Sequence, residues 1–494
     1  MAVNITPTPP PPPPPPGQRN LLPQETYPPA LPLTRNLPNV EIDPIVAQID
    51  ENFTRQFEQY FGRPEVTRIK TLDEGREILR DIEKATGIKP ALIYVDFVPQ
   101  FLAPEAGPIQ TKSQHHSKEL KRTRLPNFQS SEVNQLSQQP LQRQGNLEPQ
   151  DDDEIELVVV TAKQAPIRKR LQGVTRKQVL NVAQEFLSQV TNVRNPRGYR
   201  TPAQELYKWL LAPLEADLQA REIQNLVFLM DAGLRSVPIA ALHDGKGFVI
   251  ERYSVGLMPS LSLSNTLYKD LRNSQVLAMG AAKFPDQKPL PAVPIEVSTI
   301  AGQLWQGKSF LNNSFTLENL KQARQQNPFG IIHLATHGEF RPGPPSNSYI
   351  QLWDTKLLLD QLRLLGWNNP PVELLALSAC RTALGNQQAE LGFAGLAVLA
   401  GAKSALASLW SVSDEGTLAL MTEFYQQLDQ APIKAEALRR TQLAMLKGQV
   451  RIEGSKLRIS DKEIPLPPEL VQARHQTLDH PYYWSAFTMI GNPW

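Results

Sequence analysis

Apolar residues first recur with a period in the segment after residue 40. There Ile45, Ile49, Phe53, Phe57 and Phe61 fall four apart, the spacing of one apolar helix face. Ala91–Val98 (ALIYVDFV) and Ile155–Thr161 (IELVVVT) then read as strands. Between them, residues 104–153 are rich in Gln, Ser and Pro, basic early and acidic at Asp151–Glu154; this composition predicts a disordered insertion. The flanking strands can pair as a hairpin, because lengthening a loop adds little closure entropy.

From about residue 173, helical patterns alternate with short apolar runs. Thr175–Thr191, Pro202–Ala220, 294–305, 316–326 and 414–428 carry helical spacing; Leu226–Met230, Gln275–Met279, Ile331–Ala335, Leu374–Leu377 and Ser404–Leu409 read as strands. Gly392–Trp410 reads as a small-residue helix followed by a buried strand. Buried strands separated by helices predict a mostly parallel sheet covered on both faces, an α/β domain. No repeat of 20–50 residues interrupts this order. Four regions follow: a proline-rich tail over 1–40, a helical segment with the first strand over 41–103, the insertion over 104–153, and the α/β domain over 154–494.

Composition adds bounds. At roughly 150 residues per domain, 494 residues allow two to four domains. The net charge of +2 gives no reason to invoke nucleic acid or an acidic membrane. Residues 1–40 hold 14 prolines, with an unbroken run from Pro9 to Pro16. That run favours extended polyproline II, as a stiff spacer or as a ligand for a partner's aromatic groove. The one cysteine, Cys380, excludes an intrachain disulfide and a cysteine zinc site. No charged start with an apolar stretch marks a secretory signal, and Lys403 breaks the longest apolar run, short of the about 20 residues a spanning helix needs. Cytoplasmic location is the expectation.

Two of the strands end in reactive residues. One closes Gly330-Ile-Ile-His-Leu-Ala-Thr-His337-Gly338, the other Glu373-Leu-Leu-Ala-Leu-Ser-Ala-Cys380-Arg381. Open α/β sheets bind ligands beyond the carboxyl ends of their strands. If these strands are parallel neighbours, His337 and Cys380 lie side by side, as thiol nucleophilic catalysis requires. The backbone N–H groups of Gly338 and Cys380 could then approach a developing oxyanion. A lone cysteine at a strand end is more often a small core residue; the matched His-Gly terminus shifts the balance towards chemistry.

Other signals compete. Gly302–Ser309 satisfies GxxxxGK[ST], and Leu226–Asp231 could serve as the acidic strand of a nucleotide hydrolase. A phosphate loop follows a strand and opens a helix, whereas here the helix comes first. His333 and His337 on a strand lie about 13 Å apart, too far to share a metal, so His333 reads as a satisfied core residue. No ligand cluster demands calcium, and no cofactor or metal is expected. His115 and His116 read as solvated. Lys163–Lys177, with six basic residues, reads as a solvated strand and helix start, or as a surface for an anionic partner. Lys118–Arg124 could be a self-processing site for a basic-specific peptidase.

The pair His333-Leu-Ala-Thr-His337-Gly338 and Leu377-Ser-Ala-Cys380-Arg-Thr resembles the signature of CHAT-domain proteins, caspase relatives associated with tetratricopeptide repeat proteins. Asp231-Ala-Gly-Leu-Arg-Ser-Val-Pro238, Ser408-Leu-Trp-Ser-Val-Ser-Asp414 and His480-Pro-Tyr-Tyr-Trp-Ser-Ala-Phe-Thr-Met-Ile-Gly491 resemble further family segments in the family's order. The combination is most similar to cyanobacterial members. The resemblance implies a caspase-like three-layer α/β/α domain. It implies His337 as general base, Cys380 as nucleophile and Gly338 as an oxyanion contributor, cleaving a protein or peptide substrate through an acyl-enzyme. It places Asp231 at the strand end that helps form the pocket for the residue before the scissile bond, where an acid favours Arg or Lys. Asp414 is the second candidate for substrate binding, with a helix N-cap as its plainer reading. No tetratricopeptide repeats precede this region. A cysteine endopeptidase is the leading reading; a non-catalytic interaction module of the same fold and a nucleotide hydrolase are the others.

Overall fold

The computed structural model describes residues 42–63, 66–99, 149–382, 386–460, 462–471 and 476–494; for residues 42–43, 379–382 and 476 it describes the backbone alone. The tail over 1–40 lies outside the described residues. So does the insertion, with His115, His116 and Lys118–Arg124, except for 149–153. There the Asp153 carboxylate accepts from the Gln150 N–H at 2.8 Å and closes a turn.

The apolar stripe of the N-terminal segment forms α1 (Ile42–Phe61). Thr71 and Glu74 make a reciprocal cap that starts α2 (Leu72–Thr86), and Gly87, in the left-handed region at φ 73°, ends it. β1 (Pro90–Val98) and β2 (Glu154–Thr161) pair antiparallel, with Ala91 opposite Thr161, as the hairpin reading expects. The basic run 163–177 forms β3 (Ile167–Thr175), partly exposed, and the capped start of α3 (Arg176–Val190). Pro202–Ala220, read as one helix, is two: α4 (Arg200–Leu210) and α5 (Glu215–Ala220) flank a 3-10 turn over Ala212–Leu214. Pro213 sits in that turn, because its ring removes a donor and clashes with the preceding helical turn.

The alternation predicted after residue 220 follows. In chain order come β4 (Asn225–Met230), β5 (Ser254–Leu257), β6 (Val276–Gly280), α6 (Val293–Thr299), β7 (Gly307–Leu311), α7 (Leu317–Gln326) and β8 (Ile331–Phe340). A short hairpin, β9 (Tyr349–Gln351) with β10 (Lys356–Leu358), leads to β11 (Leu374–Thr382). α8 (Gln387–Ala394), α9 (Leu396–Ala400), β12 (Ser404–Ser408), α10 (Asp414–Leu428) and α11 (Lys434–Leu446) come next. The chain then makes a four-stranded sheet of very short strands, β13 (Arg451–Glu453), β14 (Lys456–Arg458), β15 (Glu463–Pro465) and β16 (Gln476–Thr477). Strands of two or three residues leave no period to read, so this sheet has no signature in the sequence. α12 (Pro481–Trp484) and β17 (Phe487–Gly491) finish the fold.

The main sheet has 13 strands among the described residues, in the order β10-β9-β8-β11-β12-β17-β5-β4-β1-β2-β3, with β6 beside β8 and β7 beyond β6. Its centre is mostly parallel, interrupted where β12 and β17 pair antiparallel, and its flanks are antiparallel. Helices cover both faces, giving three layers. Alternation along β1 shows why: Ile93 and Val95 join the core that holds Val179, Ala183 and Phe186 of α3. Leu92 and Tyr94 join the opposite core with Ile49 and Phe53 of α1 and Leu79 and Ile82 of α2.

The GxxxxGK[ST] match is not a phosphate loop. Gly302 lies in a π-helical turn, Ile300–Leu304, that closes α6, while Gly307–Ser309 begins β7. Gly307 is needed there for a different reason: a Cβ would stand 2.0 Å from the Val276 carbonyl oxygen.

α1 reaches both cores, because Phe57 and Phe61 join the first while Phe53 joins the second. Phe57→Ala, at a fully buried site, is therefore expected to cost about 3–5 kcal/mol. Urea unfolding should show the loss in a single transition of the whole chain. A separate early transition, with the main one unmoved, would refute the shared core.

Candidate functional site

β8 and β11 are parallel neighbours over Leu374↔Ile331 to Ser378↔Ala335, and again at Cys380↔Gly338. Between these pairings β8 advances three residues and β11 two. Thr336 and His337 therefore stand against the single Ala379, a β-bulge. Bulges break the alternation of a strand and re-aim the side chain they carry. On its other edge β8 pairs with β6 as far as Gly280↔Ala335, then with β9 from Gly338↔Ile350. His337 thus occurs where β8 passes from one neighbour to the other.

The loop after β6 encloses the His337 ring. Phe284 meets it edge-on at 5.5 Å between centroids, and Nε2 lies 2.8 Å from the Lys288 carbonyl oxygen. A carbonyl can only accept, so Nε2 carries the hydrogen and donates it. In the neutral ring Nδ1 is then the nitrogen that can take a proton. Burial pushes the His337 pKa down, against the opposing pull of the Lys288 carbonyl and the Glu339 charge. The ring is neutral at pH 7.

Four residues earlier, His333 is fully buried. Its Nε2 lies 2.9 Å from Glu296 Oε1 on α6, and its Nδ1 lies 3.3 Å from the Tyr425 hydroxyl on α10. Trp305 Nε1 donates to the Tyr425 carbonyl at 3.0 Å. His333 is a core histidine, as its place on a strand suggests, with its hydrogen bond made through Nδ1; its Nε2 lies beside Glu296 outside hydrogen-bond geometry. Among the described residues no group of three or more His, Cys, Asp or Glu is placed to hold a metal ion.

Asp414 opens α10 but does not cap it: the Ser413 hydroxyl accepts from the Gly416 N–H at 3.1 Å. Asp414 Oδ2 instead accepts from the Ala292 N–H, ahead of α6, at 2.6 Å. Burial pushes its pKa up to about 7, helped by the negative Glu296 and Glu415 and opposed by the Ala292 hydrogen bond. The residue is partly exposed. It follows β12, the strand next to β11.

Asp231 follows β4, and β12, β17 and β5 lie between that strand and β11. Four strand spacings of about 4.8 Å put it about 19 Å across the sheet. It is 2% exposed, and its Oδ1 accepts from the adjacent Ala232 N–H at 2.6 Å. Its loop is locked from two sides. Glu390 on α8 accepts from Gly233 N–H at 2.8 Å and from the Ser236 hydroxyl at 2.5 Å. Buried Arg235 donates to the Met230 carbonyl at 2.8 Å and stacks 4.8 Å above Phe57. Glu390 and Lys288 were not foreseen. Glu390 acts across 157 positions of sequence, and Lys288 acts through a main-chain oxygen that every residue carries.

Among the described residues no helix is long and apolar enough to cross a membrane. Comparison with curated proteins finds no match. Among solved structures, the Arg-specific cysteine proteinase gingipain R aligns at 11% identity over 59% of this chain and 67% of its own, with a TM-score of 0.37. The Porphyromonas gingivalis complex of RgpB pro- and mature domains aligns at 10% identity over 64% and 76%, TM-score 0.38. The Saccharomyces cerevisiae separase in its complex with securin aligns at 10% identity over 91% of this chain, which spans 33% of that one, TM-score 0.44. The sequence model of the CHAT domain matches residues 200–492, more than half of the chain and the whole span from α4 to β17. The chain belongs to the CHAT domain family.

Proposed function

We propose that this chain is a cysteine endopeptidase that cleaves after basic residues, with Cys380 as nucleophile and His337 as its base. The observation that carries the reading is the β8–β11 register. It sets the Cys380 backbone beside Gly338, next to a histidine whose Nε2 is already committed to a carbonyl. The thiol gives its proton to Nδ1 of neutral His337, and the thiolate attacks the substrate carbonyl carbon. The new S–C bond pushes an electron pair onto oxygen, where the N–H groups of Gly338 and Cys380 stabilise it. Collapse breaks the C–N bond, and the leaving amine takes the proton from His337. Water then adds to the thioester with His337 as base, and that proton returns to the thiol as the acid product leaves.

Of the two acids, Asp414 suits recognition of a basic side chain. It stands past the end of the strand beside β11, is partly exposed, and would become fully anionic with a cation beside it. Asp231, buried in a locked loop four strands away, suits a structural role.

The test is labelling of the purified chain with an acyloxymethyl-ketone peptide ending in Arg, with and without calcium. Wild type is expected to label, and Cys380→Ala and His337→Ala are not. A folded wild type that never labels would sink the peptidase reading in favour of a binding module of the same fold.

Asp414→Asn keeps an acceptor for Ala292 and removes the charge. It is expected to lower kcat/KM for an Arg substrate at pH 8 by about 30-fold, about 2 kcal/mol for one partner of a desolvated charge pair. In wild type the same constant should rise through pH 7 as Asp414 ionises; in the variant that rise should be missing. Equal pH profiles would exclude Asp414 as the acid.

Stability gives an independent check. The folded pKa, about 7, lies above the ordinary 3.8, so the folded state holds this proton more tightly than the unfolded one. The contribution of this group to wild-type stability is therefore lost as pH rises from 4 to 7. Asp414→Asn should match or fall below wild type in melting temperature at pH 4.5 and gain on it by pH 8.

A further inference from the structure

A second site lies at the other ends of the same strands. A cavity of about 300 Å³ opens at the start of β11 and β12, about 20 Å from Cys380 along the six residues from Leu374. Three cations from separate elements converge on it: Arg63 just past α1, Arg363 on the 3-10 helix Leu359–Leu365, and Lys403 before β12. Asn265 and Asn368 add amide donors, and Val398 and Pro371 supply an apolar wall. Gly401, with φ 72°, brings backbone against Asn368; a Cβ there would stand 3.3 Å from its N.

Buried Glu373 balances Lys403 at 3.0 Å, and Lys403 also donates to the Leu267 carbonyl at 3.1 Å. Arg63 is steadied by the Val398 carbonyl at 3.2 Å. Among the described residues no carboxylate lines the cavity and none pairs with the exposed Arg363. Two planar guanidinium forks and an ammonium round a concave, carboxylate-free space match a phosphate group in charge and geometry. The volume is at the lower limit for small-molecule sites, roughly 300 Å³.

We infer that this cavity binds a small phosphate-bearing molecule of mononucleotide size. The phosphate lies between Arg63 and Arg363, and the remainder lies against Val398 and Pro371. The inference does not rest on the peptidase reading, and the site shares no residue with His337 or Cys380. A ligand there would tie the end of α1 to the start of the strand that leads to Asp414.

The test uses the full chain, with inorganic phosphate, pyrophosphate, AMP and uncharged adenosine as probes, read by calorimetry and melting temperature. Pyrophosphate or AMP is expected to bind and raise the melting temperature by several degrees, while adenosine alone does not. Arg363→Glu should weaken binding by about tenfold or more, the loss of a charge-assisted contact made repulsive. Arg363→Ser should weaken it less. Both substitutions are at an exposed position, so their melting temperatures without ligand should match wild type. AMP binding more tightly than pyrophosphate assigns the apolar wall to the base, and equal affinities assign the site to the phosphate; either sustains the proposal. No binding of any phosphate probe at millimolar concentration, or binding that Arg363→Glu leaves intact, overturns it.

Discussion

Between Ala335 and Gly338, β8 carries one residue more than the strand it pairs with, and the proposed chemistry of the site depends on that mismatch. In a regular strand, parity alone decides which face a side chain takes. His333 follows parity into a closed polar cluster with Glu296 and Tyr425. His337 lies in the bulge, where alternation is suspended and β8 exchanges β6 for β9. The exchange leaves room for the loop after β6, and that loop supplies the carbonyl that fixes the tautomer of the ring. Backbone geometry thus sets two properties that the proposed catalysis needs, proximity to the Cys380 backbone and a defined basic nitrogen.

Buried charge around this seam is arranged with the same economy. Glu296 sits beside His333 and raises the cost of ionising Asp414. Asp414 has one backbone donor, and among the described residues no cation offsets its burial, so desolvation dominates its titration. A positively charged substrate side chain would reverse the balance, because an opposite charge lowers a carboxyl pKa where burial raises it. Stability given up in the empty site can then return as binding in the occupied one. The locked loop after β4 behaves differently: buried Arg235 lies close enough to Asp231 and Glu390 to feel both charges, so the acids there already have a cation beside them.

Strong periodicity made most of the fold legible. The apolar stripe of α1 and the flanking strands β1 and β2 follow from side-chain spacing; the His-Gly and Cys were legible by residue type, though β8 and β11 run on past them to Phe340 and Thr382. The break at Pro213 was legible as chemistry but was overridden in the reading by the helical pattern on either side. The short strands of the 451–477 sheet were not legible, because two or three residues cannot display a period. Strand order was the larger gap. Asp231 and Asp414 both follow apolar strands and look equivalent in sequence. Only the order of the sheet separates them, with Asp414 past the neighbour of β11 and Asp231 four strands away. Lys288 lay beyond sequence reading for a further reason: its contribution is a carbonyl, independent of its side chain.

The same sheet order constrains how the cationic cavity could influence the site. A ligand that binds only the folded chain raises stability by mass action, whatever it does to catalysis. It changes catalysis only if it binds two arrangements of the site unequally. The strands between cavity and site are buried on both faces and closely packed, which disfavours a gradual deformation transmitted along them. A two-state element is therefore required, and the segments that join the strands to their helices are better suited than the strands. Arg363 belongs to such a segment and Arg63 to the one that joins α1 to α2, while Lys403 is anchored by Glu373. Occupancy would act first on the docking of α1 and the 3-10 helix against α9, and through them on α8. That helix carries Glu390, which holds the Asp231 loop, and it begins four residues after β11 ends. A route from cavity to site therefore runs over the helices that cover the sheet, where contacts can exchange, and leaves the β8–β11 register unchanged.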